Sequence, residues 1–167
     1  MPYHKRAELL EAATAFCTSF ANKASPDKIM GHFARASPPA TSTTSTSTKD
    51  SDILALEHGL PQLAPFLGRE FRGRAGVAEY FEAIGTCLTY EDMRFGDYVV
   101  DAVEGRVAVR GSARFTWTAT GQSWDETFAY KLAFDEGNKV VRYEVWADSG
   151  AAYLASKGGL DRVMDGS

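Results

Sequence analysis

Residues 5 to 22 place Leu9, Leu10, Ala13, Phe16, Cys17 and Phe20 at offsets of 0, 1, 4, 7, 8 and 11. These positions form one stripe of an amphipathic helix, which must cover another apolar layer. Ser25-Pro26-Asp27 is an N-cap followed by proline at the first helical position, and it opens a short second helix that turns Ile29, Met30 and Phe33 inward before Pro38-Pro39 ends it. Ile53 to His58 reads as a short strand stopped by Gly59, Pro61 and Pro65. A third helix opens near Arg74 and carries Val77, Tyr80, Phe81, Ile84 and Leu88 at helical spacing. Four strand-like segments follow, at 90–103, 106–120, 123–135 and 139–148. Glu104-Gly105, Thr120-Gly121-Gln122 and Glu136-Gly137-Asn138 separate them as hairpin connections, so the sheet is an antiparallel meander. A short helix after Asp148 and a glycine-rich tail close the chain.

The strands are too long to lie flat. At ~3.3 Å per residue a fifteen-residue strand spans about 50 Å, against a radius of gyration near 15 Å for a compact domain of this length. The sheet must bend strongly, and Gly111, midway along the longest strand, is the expected place for a bulge or kink. The fold class is therefore α+β, a conical barrel of bent antiparallel sheet wrapped around three helices, with a hollow inside.

From Ser37 to Asp52 the pattern stops: ten of sixteen residues are Ser or Thr, and positions 41 to 48 are an unbroken run of them. Such a run buries too little apolar area to offset its ordering entropy and is expected to be a surface loop of adjustable length within one domain covering 1–167.

Composition narrows the chemistry. The 167 residues are 44% hydrophobic, enough for a core with room to spare for a cavity. A net charge of −4 with no Lys/Arg block excludes nucleic-acid binding and an anionic membrane surface. No apolar stretch reaches the ~18 residues of a bilayer span, and Glu8 and Glu11 interrupt the place of a signal peptide, so a cytoplasmic location is expected. Cys17 and Cys87 are far apart and sit in helical patterns, as buried thiols do. His4, His32 and His58 form no ligand spacing, so no metal is expected.

Three helices, a strand and a long bent meander resemble the nuclear transport factor 2-like superfamily. The stretch from Pro65 through Gly68, Gly73, Val77 and Tyr80 to Phe81 resembles the entry to the third helix in its SnoaL-like branch, and Gly137-Asn138-Lys139 through Trp146 to Asp148 is similar to the last strand of that group. The resemblance implies a homodimer through the sheet face, an apolar pocket between sheet and helices, and acid/base chemistry on a small, largely apolar molecule without a cofactor. Cyclases, isomerases and dehydratases of polyketides or terpenoids are the implied enzymes; the alternative is a non-catalytic module that binds a ligand or dimerises. The paired acids of limonene epoxide hydrolase have no counterpart, since Thr116 and Val145 stand where they belong. Scytalone dehydratase is disfavoured, because this chain has no sheet histidine beyond His58.

His58, at the end of the first strand, is the expected acid or base. Glu57 beside it must point the opposite way, so at most one of the two enters a pocket, and His58 is favoured. Trp124, Glu126, Phe128, Tyr130 and Leu132 share one strand face, which suits a pocket wall or, nearly as well, a dimer interface. Glu126 and Tyr130 are taken as orienting groups, with Leu56, Phe81, Trp117, Trp124, Phe128, Tyr143 and Val145 as the substrate-binding wall. Asp148 is read as a helix cap. Arg69, Arg72 and Arg74 are read as a solvated turn.

Overall fold

The computed structural model describes residues 4–38 and 47–166. In chain order these form α1 (Arg6–Ala21), α2 (Pro26–Met30), β1 (Leu54–His58), β2 (Phe71–Arg72), α3 (Gly73–Cys87), β3 (Leu88–Asp101), β4 (Arg106–Trp117), β5 (Ser123–Phe134), β6 (Val140–Trp146), α4 (Ser149–Ser156) and α5 (Leu160–Met164). Ser25 caps α2 through a hydrogen bond from the Lys28 N–H, with Pro26 at the first helical position. Two elements were not anticipated. β2 is too short to show a period, and α5 emerges from the Gly158-Gly159 tail because Leu160 is buried and its N–H is held by Gln122 Oε1 at 2.9 Å.

The six strands form one sheet in the order β2-β1-β6-β5-β4-β3. The meander β3 to β6 is antiparallel, and β1 joins its last strand in parallel, with Ala55 opposite Tyr143 and Glu57 opposite Val145. The sheet is curled and cone-like but does not close, since β2 and β3 remain its two edges.

The bend does not arise where glycine suggested it. Around Gly111 the pairing of β4 with β5 runs in unbroken register. Irregularities lie in edge strand β3, between Glu91 and Arg94 and between Gly96 and Val99, where Asp92 and Asp97 adopt positive φ angles of 53° and 56°, and in the β5–β6 pairing between Ala133 and Phe134. Extra residues on an edge strand increase local twist without disrupting the strands that carry the core. Gly111 instead leaves space for an aromatic ring: a Cβ there would lie 2.2 Å from Cε2 of Phe128 on β5.

The stripe of α1 buries Leu9, Ala13, Phe16, Cys17 and Phe20 against the inner face of the sheet. Phe16 and Phe20 meet Tyr130 of β5 and Tyr143 of β6 edge-on or stacked at 5.3 to 6.4 Å, linking the helix to the centre of the sheet through ring contacts. On α3, Val77 and Tyr80 are fully buried, while Phe81, Ile84 and the adjoining Leu88 are only half-buried because they face a void.

Arg74 spans α3 and the end of α2, donating from its guanidinium to the carbonyls of Met30, Phe33 and Ala34. Arg69 and Arg72 pair with Glu79 and Glu70 on the surface. Most of the Ser/Thr run lies outside the described residues, but its flanks meet, with the Ser37 N–H on the Thr48 carbonyl at 2.9 Å. Among the described residues no helix is long and apolar enough to cross a membrane.

Candidate functional site

Between the inner face of the sheet, α3 and the start of α4 lies a cavity of about 110 Å³. An engineered apolar cavity of ~150 Å³ accepts benzene, so this somewhat smaller one is scaled to an occupant of one ring at most. Its wall is overwhelmingly aromatic and aliphatic, interrupted by Glu57, Glu126, Asp148 and Ser149.

The inward set on β5 comes straight from alternation. Trp124, Glu126, Phe128 and Tyr130 all line the cavity, as do Phe81, Tyr143 and Val145, so this strand face is a pocket wall. Trp117 is one layer behind, buried and tilted against the cavity residue Phe66 at 6.4 Å. Leu56 lies on the outer face with His58 and is half-buried there.

His58 does not reach the cavity. Its ring lies flat on exposed Trp146, with centroids 4.2 Å apart and planes 11° from parallel, and its Nε2 is 3.1 Å from Glu144 Oε1. Burial pushes the Glu144 carboxyl up, but hydrogen bonds from Arg142 and His58 outweigh this and hold it below the usual carboxylate range. His58, Trp146, Glu144 and Arg142 make an outer-face cluster of four side chains. His58→Ala is expected to cost about 1 kcal/mol in urea unfolding, the worth of the stacking and the hydrogen bond, and to leave ligand uptake by the cavity unchanged.

The inward member of the pair is Glu57, only 5% exposed. Parallel pairing of β1 with β6 puts it beside Val145, and through Val145 beside Tyr130. The Tyr80 hydroxyl of α3 donates to Glu57 Oε2 at 2.7 Å. Oε1 accepts no hydrogen bond from the described residues, and Glu57 lines the cavity. Burial raises the carboxyl to about 7; the Tyr80 hydrogen bond opposes this, and the charge of Glu126 adds to it. Glu126 is also raised, first by burial, against hydrogen bonds on its Oε1 from Trp124 Nε1 at 3.0 Å and the Asp148 N–H at 3.1 Å. Tyr80, Tyr130 and Tyr143 are buried around Glu57, and desolvation keeps all three phenols protonated. Asp148 caps α4, accepting the Ala151 N–H at 2.9 Å.

Sequence reasoning set Glu57 aside in favour of His58, whose neutral-range titration and place at the strand end suited an acid or base, and nothing in the local pattern showed which face of β1 is inside. The outer face there is itself largely covered, with Leu54 1% exposed, so hydrophobicity carried no signal to separate the two. Among the described residues no group of three or more His, Cys, Asp or Glu is placed to hold a metal ion. Chemically, the arrangement offers two carboxyls with raised affinity for protons in a largely apolar pocket, one of them oriented by a phenol.

No family model and no curated protein sequence matches the chain. Solved structures do. TerC, co-crystallised with polyporic acid, is similar over 90% of this chain and 98% of its own, at 17% identity and a TM-score of 0.68. An NTF2-like protein from Burkholderia xenovorans LB400 is similar over 91% of this chain and 98% of its own, at 15% identity and a TM-score of 0.64. A candidate SnoaL-like polyketide cyclase from Jannaschia sp. CCS1 is similar over 90% of this chain and 92% of its own, at 10% identity and a TM-score of 0.65. At these identities the likeness is one of fold, and the fold, a curled sheet enclosing an aromatic cavity against its helices, is that of the nuclear transport factor 2-like superfamily and its SnoaL-like members.

Proposed function

We propose that the chain is an acid/base enzyme, working without a cofactor, that isomerises, cyclises or dehydrates a small and largely apolar molecule in this cavity. The observation that supports it is Glu57: a carboxyl buried in the wall of an aromatic pocket, raised to about 7, with one oxygen held by Tyr80 and the other without a hydrogen-bond donor among the described residues. A base near neutrality combines a useful ionised fraction with real driving force for proton transfer. Tyr80 steadies the carboxylate that remains after Glu57 gives up its proton, and fixes which oxygen faces the occupant.

Glu126 supplies the second group. Two carboxyls that sense one another in a dry site titrate as a pair, and the first ionisation holds back the second. One carboxylate and one carboxylic acid then face the same molecule. The ionised member of the pair removes a proton from carbon or oxygen, the protonated member delivers one elsewhere, and the net result is an isomerisation, a ring closure, or loss of water from a protonated hydroxyl. Tyr130 and Tyr143 wall the occupant beside Glu57. The aromatic lining excludes water, which strengthens each of these interactions and protects a carbanion or enol from the wrong proton. The cyclase named among the similar structures is consistent with this class of chemistry.

Native mass spectrometry of the freshly purified protein tests the proposal. A co-purified small molecule that is chemically converted on incubation is the expected result. A ligand that stays unchanged would make the cavity a binding module instead.

A further inference from the structure

The cavity holds acids with no counter-charge. Glu57, Glu126 and Asp148 line it, and among the described residues that line it there is no Lys, Arg or His. Glu57 Oε1, on a side chain 95% removed from solvent, has no hydrogen-bond donor from the described residues. A buried carboxylate ordinarily finds a cation or several N–H donors, because its desolvation is costly without them. Here no such partner stands beside it among the described residues. The groups that face Glu57 are Tyr80 from α3, Tyr130 and Glu126 from β5, and Tyr143 from β6, all neutral or acidic.

The remaining surface of the cavity fits the same reading. Phe115 and Trp124 stack at 5.9 Å, and the Trp124 ring is set by its N–H bond to Glu126. Indole and phenyl faces carry negative potential, which attracts a cation most strongly where water is excluded. An anion would meet two carboxyls and the negative faces of the rings, with no positive group to receive it.

We infer that the occupant carries a protonated nitrogen on or beside a single ring, its cationic group meeting the open oxygen of Glu57 and its ring held by the aromatic walls. This rests on the reading of the cavity as an acid/base site and names the class of molecule that the site takes. The ammonium supplies the counter-charge that the chain omits, and its arrival favours the ionised form of Glu57, so the base is switched on by the molecule on which it acts. A carboxylate-bearing analogue of the same size is rejected.

Three probes of matched size separate the charge classes: benzylamine, benzyl alcohol and benzoate, titrated calorimetrically into the full chain. At about pH 8 benzylamine should bind about tenfold or more tightly than benzyl alcohol, and benzoate least. At about pH 5.5, where Glu57 is protonated while benzylamine keeps its charge, that advantage should shrink at least about threefold. Glu57→Gln and Glu126→Gln should each reduce the preference for the amine over benzyl alcohol. Benzoate or benzyl alcohol binding as tightly as benzylamine, or a preference untouched by both variants, overturns the inference. Uptake of benzyl alcohol with no preference for the amine refutes the charge class alone; the acid/base reading is decided separately, by whether the compound that co-purifies is converted. No uptake of any probe refutes the single-ring cation.

Discussion

Glu57→Gln is expected to stop turnover and at the same time to make the protein more stable above neutral pH. Folding raises this carboxyl from its ordinary 4.5 to about 7, chiefly by burial, so the folded chain holds a proton that the unfolded chain releases. The sign follows from linkage. The contribution of Glu57 is at its most favourable below about pH 4.5 and is lost as the pH rises through about 7. A shift of 7 − 4.5 = 2.5 pK units corresponds to about 3 kcal/mol, which water entering the cavity would reduce. Glutamine has the same shape, carries no charge and can still accept the Tyr80 hydrogen bond, so it avoids that cost. We expect a gain of about 1–3 kcal/mol at about pH 8, read as a rise of about 3–10 °C in Tm, shrinking to nothing near pH 4. Turnover of the converted ligand should fall by about 10²- to 10⁴-fold, the usual worth of a positioned base. A variant less stable than wild type at about pH 8 would show that Glu57 is ionised and satisfied in the fold, and would remove it as the base.

Gly111→Ala is expected to be the more damaging change to the fold. In an ordinary strand, replacing glycine by alanine is favourable by about 0.5–1 kcal/mol. At this position the added methyl carbon would sit 2.2 Å from Cε2 and 2.4 Å from Cζ of Phe128, directly across the β4–β5 ladder. The Phe128 ring has little room to retreat, with Tyr130 at 5.1 Å, Phe95 at 5.8 Å and Phe115 at 5.9 Å. Its free direction is into the cavity. We expect a loss of about 3 kcal/mol in urea unfolding, together with weaker uptake of single-ring ligands. The double variant Gly111→Ala/Phe128→Leu should recover part of the loss, because neighbours that compete for the same space do not act additively. An alanine variant as stable as wild type would show that the ring contact is not what requires glycine there.

Much of the architecture is legible because it depends on local periods. The α1 stripe from Leu9 to Phe20, the Ser25-Pro26 helix start and the three hairpin connections are each settled by a few neighbouring residues. The same holds for the β5 wall: alternation alone groups Trp124, Glu126, Phe128 and Tyr130, and the cavity receives all four. What misled was a local cue with two uses. Gly111 suits a bulge or a ring contact equally well, and the register irregularities fall elsewhere, at Asp92 and Asp97 on an edge strand, residues that tolerate positive φ but do not announce it, and at Ala133 and Phe134.

Pattern by itself determined that Glu57 and His58 point to opposite faces of β1, since successive strand side chains always do. It did not determine which of the two faces is inside. That choice belongs to the partner strand: parallel pairing with β6 aligns Glu57 with Val145 and Ala55 with Tyr143, and α3 then brings Tyr80 down on the same side. With that register Glu57 enters the cavity and His58 is left outside on Trp146. The raised affinity of Glu57 for a proton is likewise a tertiary property, because it arises from burial and from a charge about seventy residues away in Glu126, neither of which any short stretch of sequence contains.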